Sequence, residues 1–497
     1  MRNVPTKRCG KKETQGVDEG VGACRPELDL ASKPIFYCYN CIQAASFVAP
    51  CLCASRSAIG QEAINTMSHL GFLCFPGTGH LNPLTALGRH LQRRGHRVTF
   101  FQIADLESKI RAARLDFVQI GGNKFPPGTL RQLDQELSRL DGLAAVRYTA
   151  KRILVTSIMT LGDAPGKIVG AKIDALVVDQ AELAGGTIAD FLKIPFVNVA
   201  LAMPIYLEPN VPFFAFNWRY GQSPLHRIRN HVGNLFIEHL TSSGWTAINR
   251  YRDSWRLPVI RHTNDFFSSR GQITQIPREF DFPGRKLPGC FHYTGPFIDL
   301  EMHKTIDFPW HRILPDQPLI YASMGTLQNG VDRVFQVIAE ACAKLDAQLV
   351  LSLGTESRKI APLPGNPIIV PYAPQLELLR RSALTITHGG LNTVLEALSV
   401  GVPLVVIPVT NDQPGVAARV EWTGTGEAIP VQQVTVQNLR CAIRRVLEVP
   451  GYRRAAQSLQ TQIAAANGLE RATDIVEKAL SLEKPSHARA VQASNSI

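Results

Sequence analysis

Short apolar, β-branched runs alternate with segments of helical spacing along most of the chain. Runs near His69, Arg97, Asp116, Ala175 and Phe196, and again near Leu319, Gln348, Ile368, Leu384 and Leu404, read as strands. Each is brief and almost continuously apolar, the pattern of a strand buried on both faces of a parallel sheet. Apolar positions at helical spacing follow several of them, over 84–94 after the first and over 392–400 after the run at 384–387. Strands and helices in alternation predict an α/β protein with doubly wound parallel sheets. Two stretches break the rhythm, 121–172 and 201–288, and read as less regular insertions. Residues 67–296 and 319–468 then form two halves. The linker is 297–318, where Pro309, Pro315 and Pro318 interrupt regular structure. An amphipathic helix over 469–482 ends the fold, and 483–497 reads as a polar, disordered tail.

Residues 1–66 do not share this pattern. Six of the 10 cysteines fall there (Cys9, Cys24, Cys38, Cys41, Cys51 and Cys53), and Met67 stands directly before the first strand. The segment is expected to lie outside the fold, as an upstream stretch or a processed leader. Cys38-x-x-Cys41 with Cys51-x-Cys53 is irregular as a zinc site. Acidic residues between the basic start and the apolar stretch argue against a signal peptide. Cys74, Cys290, Cys342 and Cys441 are scattered, as in a reducing compartment.

Composition adds limits. With 497 residues the chain holds two or three domains. No apolar span is long enough to cross a bilayer. The net charge of +12 comes with no nucleic-acid motif, so scattered surface Lys and Arg explain it, and attraction to anionic lipid or to a diphosphate is compatible.

The candidate chemistry concentrates in 370–420. The run at 384–387 leads into His388-Gly389-Gly390, and a helix starting after Gly390 turns its free N–H groups and positive dipole end toward the strand end. That is an anion site, and the glycines let a phosphate approach the backbone. His388, Asn392 and Thr393 add side-chain donors there. Glu396, one turn on, can accept two ribose hydroxyls, and Asn411-Asp412-Gln413 after the next strand suit sugar hydroxyls. All these residues fall at the carboxyl ends of strands, where open α/β sheets bind ligands. A weaker turn of the same kind is Ser323-Met324-Gly325-Thr326 after the run at 319.

The front of the chain offers Pro76-Gly77-Thr78-Gly79-His80-Leu81-Asn82-Pro83 after the first strand. Pro83 suits a first helical position with Asn82 as its cap, which leaves His80 in the preceding loop. A neutral imidazole there can take a proton from an attacking hydroxyl. A carboxylate would hold its tautomer. Asp179, at the end of the run beginning at Ala175, is the first choice and Glu182 the second; Asp179 also reads as the N-cap of a helix over 180–191. Gly77 and Gly79 lack a third glycine, and no acidic residue ends the second strand, so a dinucleotide fingerprint fits poorly.

The spacing from Tyr372-Ala373-Pro374-Gln375 through His388, Gly390, Asn392, Thr393 and Glu396 to Asp412-Gln413 resembles the donor signature of family 1 glycosyltransferases, the UDP-sugar-dependent group. The resemblance implies the GT-B fold, two Rossmann-like domains facing a cleft, with the terminal helix crossing back to the first. It implies that Tyr372 stacks on uracil, where plant members usually carry Trp. With it, Ala373 and Gln375 fall in the donor site. It further implies that Asp412 and Gln413 touch the transferred sugar, that Ser323, Gly325 and Thr326 lie beside the diphosphate, and that His80 is the base with Asp179 as its partner. HRVTFFQ from His96, YTGPF from Tyr293 and NDQPGVAAR from Asn411 are similar to the bacterial carotenoid (zeaxanthin) glucosyltransferases within that family.

The expected reaction is therefore an inverting transfer of a hexose, glucose being favoured by Gln413, from a UDP-sugar to a hydroxyl of a hydrophobic small molecule. No cofactor and no metal are expected, since the helix after Gly390 meets the leaving charge. Phe213, Phe216 and Trp218 are candidates for the acceptor wall, with core packing as the plainer reading. The expected protein is a cytoplasmic monomer or weak dimer, with peripheral membrane contact allowed and no nucleic-acid partner. A nucleotide-sugar epimerase of the same fold and a silent nucleotide-sugar-binding partner are the alternatives; the first would need no acceptor.

Overall fold

The computed structural model describes residues 67–140, 142–302, 306–325, 332–355 and 361–481, all within one compact unit. The calls on 1–66, on the tail and on Thr326 lie outside the described residues.

The first half carries a seven-stranded parallel sheet in the order β3-β2-β1-β4-β5-β6-β7. Its strands are β1 (His69–Leu73), β2 (Arg97–Gln102), β3 (Asp116–Gln119), β4 (Ala175–Asp179), β5 (Phe196–Ala200), β6 (Gln272–Thr274) and β7 (Phe291–Tyr293). Helices α1 (Thr78–Arg93), α2 (Glu107–Ala112), α3 (Thr129–Leu137), α4 (Gly142–Gly170), α5 (Ala184–Leu192) and α6 (Pro224–Ser254) pack around it. The second half has six parallel strands in the order β10-β9-β8-β11-β12-β13. They are β8 (Leu319–Ser323), β9 (Gln348–Ser352), β10 (Ile368–Val370), β11 (Ser382–Thr387), β12 (Leu404–Val406) and β13 (Gly426–Ala428). Its helices are α7 (Asp332–Cys342), α8 (Gln375–Leu379), α9 (Leu391–Ser399), α10 (Gln413–Trp422), α11 (Val436–Glu448), α12 (Pro450–Ala466) and α13 (Gly468–Ser481).

The central strands are buried along nearly their whole length: β4 and β8 have no exposed residue, and Leu70, Phe72, Val178, Ile320, Leu384 and Val405 sit in the cores. Strand order reverses between β1 and β4 in one sheet and between β8 and β11 in the other. Each reversal opens a crevice at the carboxyl ends of the strands, and the candidate residues cluster at these two crevices.

Several expectations are corrected. The first helix begins at Thr78, with Gly77 as N-cap and Pro83 inside it, so His80 sits in the opening turn rather than in a loop and Asn82 caps nothing. Proline is tolerated this early because it removes only one ladder bond. That bond would have run to Gly79, whose carbonyl accepts instead from Asn392 Nδ2 at 2.8 Å. Helix α5 starts at Ala184 after Leu183, so Asp179 is not its N-cap; its carboxylate is engaged with β1 and the first helix, as described below.

The supposed irregular insertions contain two of the longest helices, α4 with 29 residues and α6 with 31. Neither shows a single apolar stripe. α4 mixes buried Arg152, Thr156, Ser157 and Thr160 among its apolar side chains, and α6 bears apolar side chains on an exposed side as well as a buried one. The strands β6 (QIT), β7 (FHY) and β13 (GEA) were not read from the sequence because they lack the continuous apolar run of the equally short β10 (IIV) and β12 (LVV).

Helix α13 packs on α1 and β5 of the first half. His90 Nδ1 meets Thr473 Oγ1 at 3.0 Å, and Arg94 pairs with Glu470, Asp474 and Glu477. In the connection between the halves, Asp299 takes Arg89 Nε at 3.0 Å.

Candidate active site

The first crevice brings together His80 and Asp179, which are 99 residues apart in sequence. His80 Nδ1–H donates to Asp179 Oδ2 at 2.7 Å. The same oxygen accepts from Phe75 N at 3.1 Å, and Oδ1 accepts from Ala181 N at 3.0 Å. A carboxylate with these donors is fixed in place and fixes the imidazole tautomer, leaving Nε2 as the basic nitrogen. Asp179 is fully buried while the His80 side chain keeps 22% of its surface, so the pair opens to the cleft on the histidine side only. The Phe75 ring stands edge-on to His80 at 5.3 Å between centroids. Behind it, Arg152 lies 5.0 Å from the Phe75 ring and donates to the Pro76 carbonyl at 2.8 Å.

Burial works to lower the His80 pKa, but the charge and hydrogen bond of Asp179, helped by Asp412, outweigh it and raise the pKa above 6.5. Glu182 takes no part in this pair. It accepts from Thr160 Oγ1 at 3.1 Å and from Ala184 N at 3.1 Å, and burial pushes it up to about 7.

The second crevice has the opposite character. His388 follows β11, and burial holds its pKa down at about 4 against one hydrogen bond to the Ser323 backbone, so the ring is neutral. It is wedged between glycines: a Cβ on Gly325 would lie 2.5 Å from the ring and one on Gly390 would lie 2.7 Å from it. Gly325 also has φ +74° and Gly389 φ +88°, a region open to glycine at little cost. Gly390 is the N-cap of α9, so the free N–H groups of that helix begin beside the His388 ring.

One turn into α9, Gln375 collects the polar groups. Its Nε2 donates to Glu396 Oε2 at 2.6 Å and to Thr393 Oγ1 at 3.3 Å, and its Oε1 accepts from Tyr321 OH at 3.0 Å. Burial pushes the Glu396 carboxyl up to about 7, with the Gln375 hydrogen bond opposing. Tyr372 is 44% exposed, a free aromatic face at the rim beside Ala373.

Asn392 is placed differently from the sequence expectation of a phosphate donor. Its Nδ2 donates to the Gly79 carbonyl of the first half, and its Oδ1 accepts from Gln275 Nε2 at 2.8 Å. Asp412 also spans the cleft, taking Met203 N at 3.2 Å, and burial raises its pKa. Gln413 is buried, and its Oε1 accepts from Val409 N at 2.8 Å and Thr410 N at 3.0 Å, leaving only its amide nitrogen for a ligand.

Of the aromatic candidates, Phe213 lines a narrow recess together with Tyr206, Glu208, Asn234, Arg285 and Arg419. Phe216 and Trp218 stack on each other at 4.2 Å and pack on Gly233 of α6, where a Cβ would lie 2.7 Å from the indole.

A buried group that sequence reasoning missed joins the two halves. Asp281 Oδ1 accepts Arg419 Nη2 at 2.7 Å and Nε at 2.9 Å, and Oδ2 accepts Tyr293 OH at 2.7 Å. Arg419 and Arg285 outweigh burial and hold Asp281 well below the usual carboxylate range. Gln275, Arg152 and Phe75 were missed too. Arg419 and Tyr293 lay in runs singled out from the sequence, NDQPGVAAR and YTGPF.

The sequence matches the family described as UDP-glucoronosyl and UDP-glucosyl transferase over residues 154–470, and the glycosyltransferase family 28 N-terminal domain over 73–177. A zeaxanthin glucosyltransferase of Pantoea ananas is 30% identical over 84% of this chain and 97% of its own. The NDP-glycosyltransferase YjiC of Bacillus subtilis is 26% identical over 82% of this chain and 96% of its own. Among solved structures, the glycotransferase of kitacinnamycin superposes with TM-score 0.66 at 20% identity, over 83% of this chain and 99% of that one. The calicheamicin glycosyltransferase CalG4 does so with TM-score 0.62 at 22% identity, over 84% of this chain and 100% of that one. Two parallel-sheet halves with paired crevices are thus a GT-B fold. The chain belongs to the UDP-glycosyltransferase family, the family 1 glycosyltransferases, and is an enzyme that binds a nucleotide-sugar donor and an acceptor.

Proposed function

We propose that the protein transfers glucose from UDP-glucose, with inversion, to a hydroxyl of a hydrophobic small molecule of the carotenoid-diol class such as zeaxanthin. The observation that carries the chemistry is the 2.7 Å contact between His80 Nδ1 and buried Asp179. It leaves Nε2 as a base whose pKa is lifted toward the working pH.

The acceptor hydroxyl enters from the first half and gives its proton to His80 as its oxygen attacks the anomeric carbon. Asp179 stabilises the imidazolium that forms. The bond to the diphosphate breaks on the opposite face. The leaving charge is received by the N–H groups at the start of α9, by Thr393 and by the Ser323–Gly325 turn, with the neutral His388 as a hydrogen-bonding neighbour. This reading draws on no cofactor or metal. Tyr372, with Ala373 beside it, takes the uracil face, and Glu396, oriented by Gln375, takes the ribose. Asp412 and the free amide nitrogen of Gln413 reach the sugar. Asn392 serves first to hold the two crevices together. Phe213, in the recess beside Tyr206, is the acceptor contact; Phe216 and Trp218 support it from behind.

The acceptor class is supported by the Pantoea ananas relative, whose name specifies zeaxanthin as its substrate. The test is incubation with UDP-glucose and separate pools of carotenoid diols, phenolics and macrolides, read by mass spectrometry. A hexosylated carotenoid diol is the expected product. Hexose on another pool would replace the acceptor class, and UDP-glucose left intact in every tube would overturn the reading.

A further inference from the structure

Among the described residues, helix α6 is the one element whose apolar residues face outward in a row. Leu225, Ile228, Val232, Leu235 and Phe236 are 77%, 60%, 59%, 52% and 47% exposed. Their spacing places them on one side of the helix over about three turns. Elsewhere among the described residues, large exposed apolar side chains occur singly or far apart in sequence. Single ones are ordinary; a contiguous stripe marks a surface that meets something. The opposite side of the helix is already used: Asn230, Gly233, Asn234 and Ile237 are buried, with Gly233 beneath Trp218.

Charge selects the partner. No acidic residue occurs between Glu208 and Glu238, while Arg219, His226, Arg227, Arg229 and His231 do. Arg227 and His231 are exposed along one flank of the stripe. A second copy meeting this face about a two-fold axis would set cation against cation with no carboxylate in the patch to answer it. A bilayer bearing anionic headgroups answers both features: phosphates meet the arginines, and the side chains enter the acyl boundary with the helix lying in the plane.

We infer that the outer side of α6 is a peripheral docking surface for anionic membranes. The inference does not depend on which acceptor the enzyme uses. No helix among the described residues is long and apolar enough to cross a membrane, so the contact is with one leaflet.

The test is co-sedimentation of the full chain with vesicles of phosphatidylcholine alone or with about a third phosphatidylglycerol, at low and high salt. Binding is expected only with the anionic lipid and is weakened by salt. The variant Leu225→Gln/Ile228→Gln/Val232→Gln is expected to lose binding at least tenfold while its thermal midpoint and UDP-glucose affinity stay unchanged. Arg227→Gln is expected to weaken binding and flatten the salt dependence. Absence of wild-type binding to anionic vesicles, or equal binding by the triple variant, would overturn the inference. So would a dimer in light scattering that the triple variant dissolves while wild type ignores vesicles, since that assigns the face to a second copy.

Discussion

His80 and His388 each stand past the carboxyl end of a strand that borders a reversal of strand order, His80 after β1 in one half and His388 after β11 in the other. Their surroundings drive them apart. His80 faces a buried carboxylate and its pKa rises. His388 has glycines and a backbone carbonyl for neighbours and its pKa falls to about 4. Burial pushes both the same way; the strand beside His80, β4, ends in Asp179, which Asp412 helps, where the strand beside His388, β8, ends in Ser323. The same scaffold therefore yields a histidine held by a carboxylate on one side of the cleft and a neutral lining on the other. Position in the fold locates a site, and the residue at the neighbouring strand end decides its chemistry.

The largest expected effect is on the first histidine. His80→Ala should lower turnover by about 10²–10⁴ with UDP-glucose affinity retained in calorimetry; loss of both together would make His80 structural and remove the contrast. Next, Arg419→Met removes one of the two arginines that face the buried Asp281 carboxylate and leaves it with Arg285 and Tyr293. Breaking a buried pair from one side costs about 3–5 kcal/mol, which should appear as a clear drop in thermal midpoint, while Asp281→Asn added to it should restore part.

Third comes pH. Glu396 is pushed up to about 7, and its ionised form is the better acceptor for ribose hydroxyls. UDP-glucose affinity should be full above that pH and decline as pH falls through it. Glu396→Gln should flatten the profile, and His388→Gln should leave its shape alone. A profile that follows His388 instead would mean that this ring ionises and the two crevices are alike. The smallest effect concerns the acid limb of kcat/KM. His80 must be unprotonated to act and its pKa is raised, so the limb should lie above pH 6.5. Asp179→Asn should move it down, and Asp412→Asn should move it down less, since Asp412 ranks behind Asp179 among the causes.

The parallel strands of both sheets were legible because each central one is a continuous apolar run. So was the glycine-flanked start of α9, where a strand end, two glycines and a helix follow within a few residues. The His80–Asp179 partnership was legible as two strand ends. What it required beyond sequence was strand order, which puts β1 beside β4. The start of α1 was misread because Pro83 was given the first-turn position it often takes, whereas here it stands one turn later. Helix α6 was missed for the reason that makes it notable, since apolar residues on both sides blur the helical stripe. Arg419 and Asp281 are 138 residues apart, and no local pattern joins them. Gln375 had a place in the motif, but its role as the group that orients Glu396 appears only in three dimensions.

Pro83 has a consequence for how the cleft opens. Because it has no N–H to offer, the Gly79 carbonyl has no place in the helix ladder and meets Asn392 of the other half. Parting the halves there exchanges one hydrogen bond for a bond to water, with a net cost of about 0.5–1.5 kcal/mol, and leaves α1 intact. Opening at this point is therefore a change of partner for one carbonyl, and the helix that carries His80 keeps its shape through it.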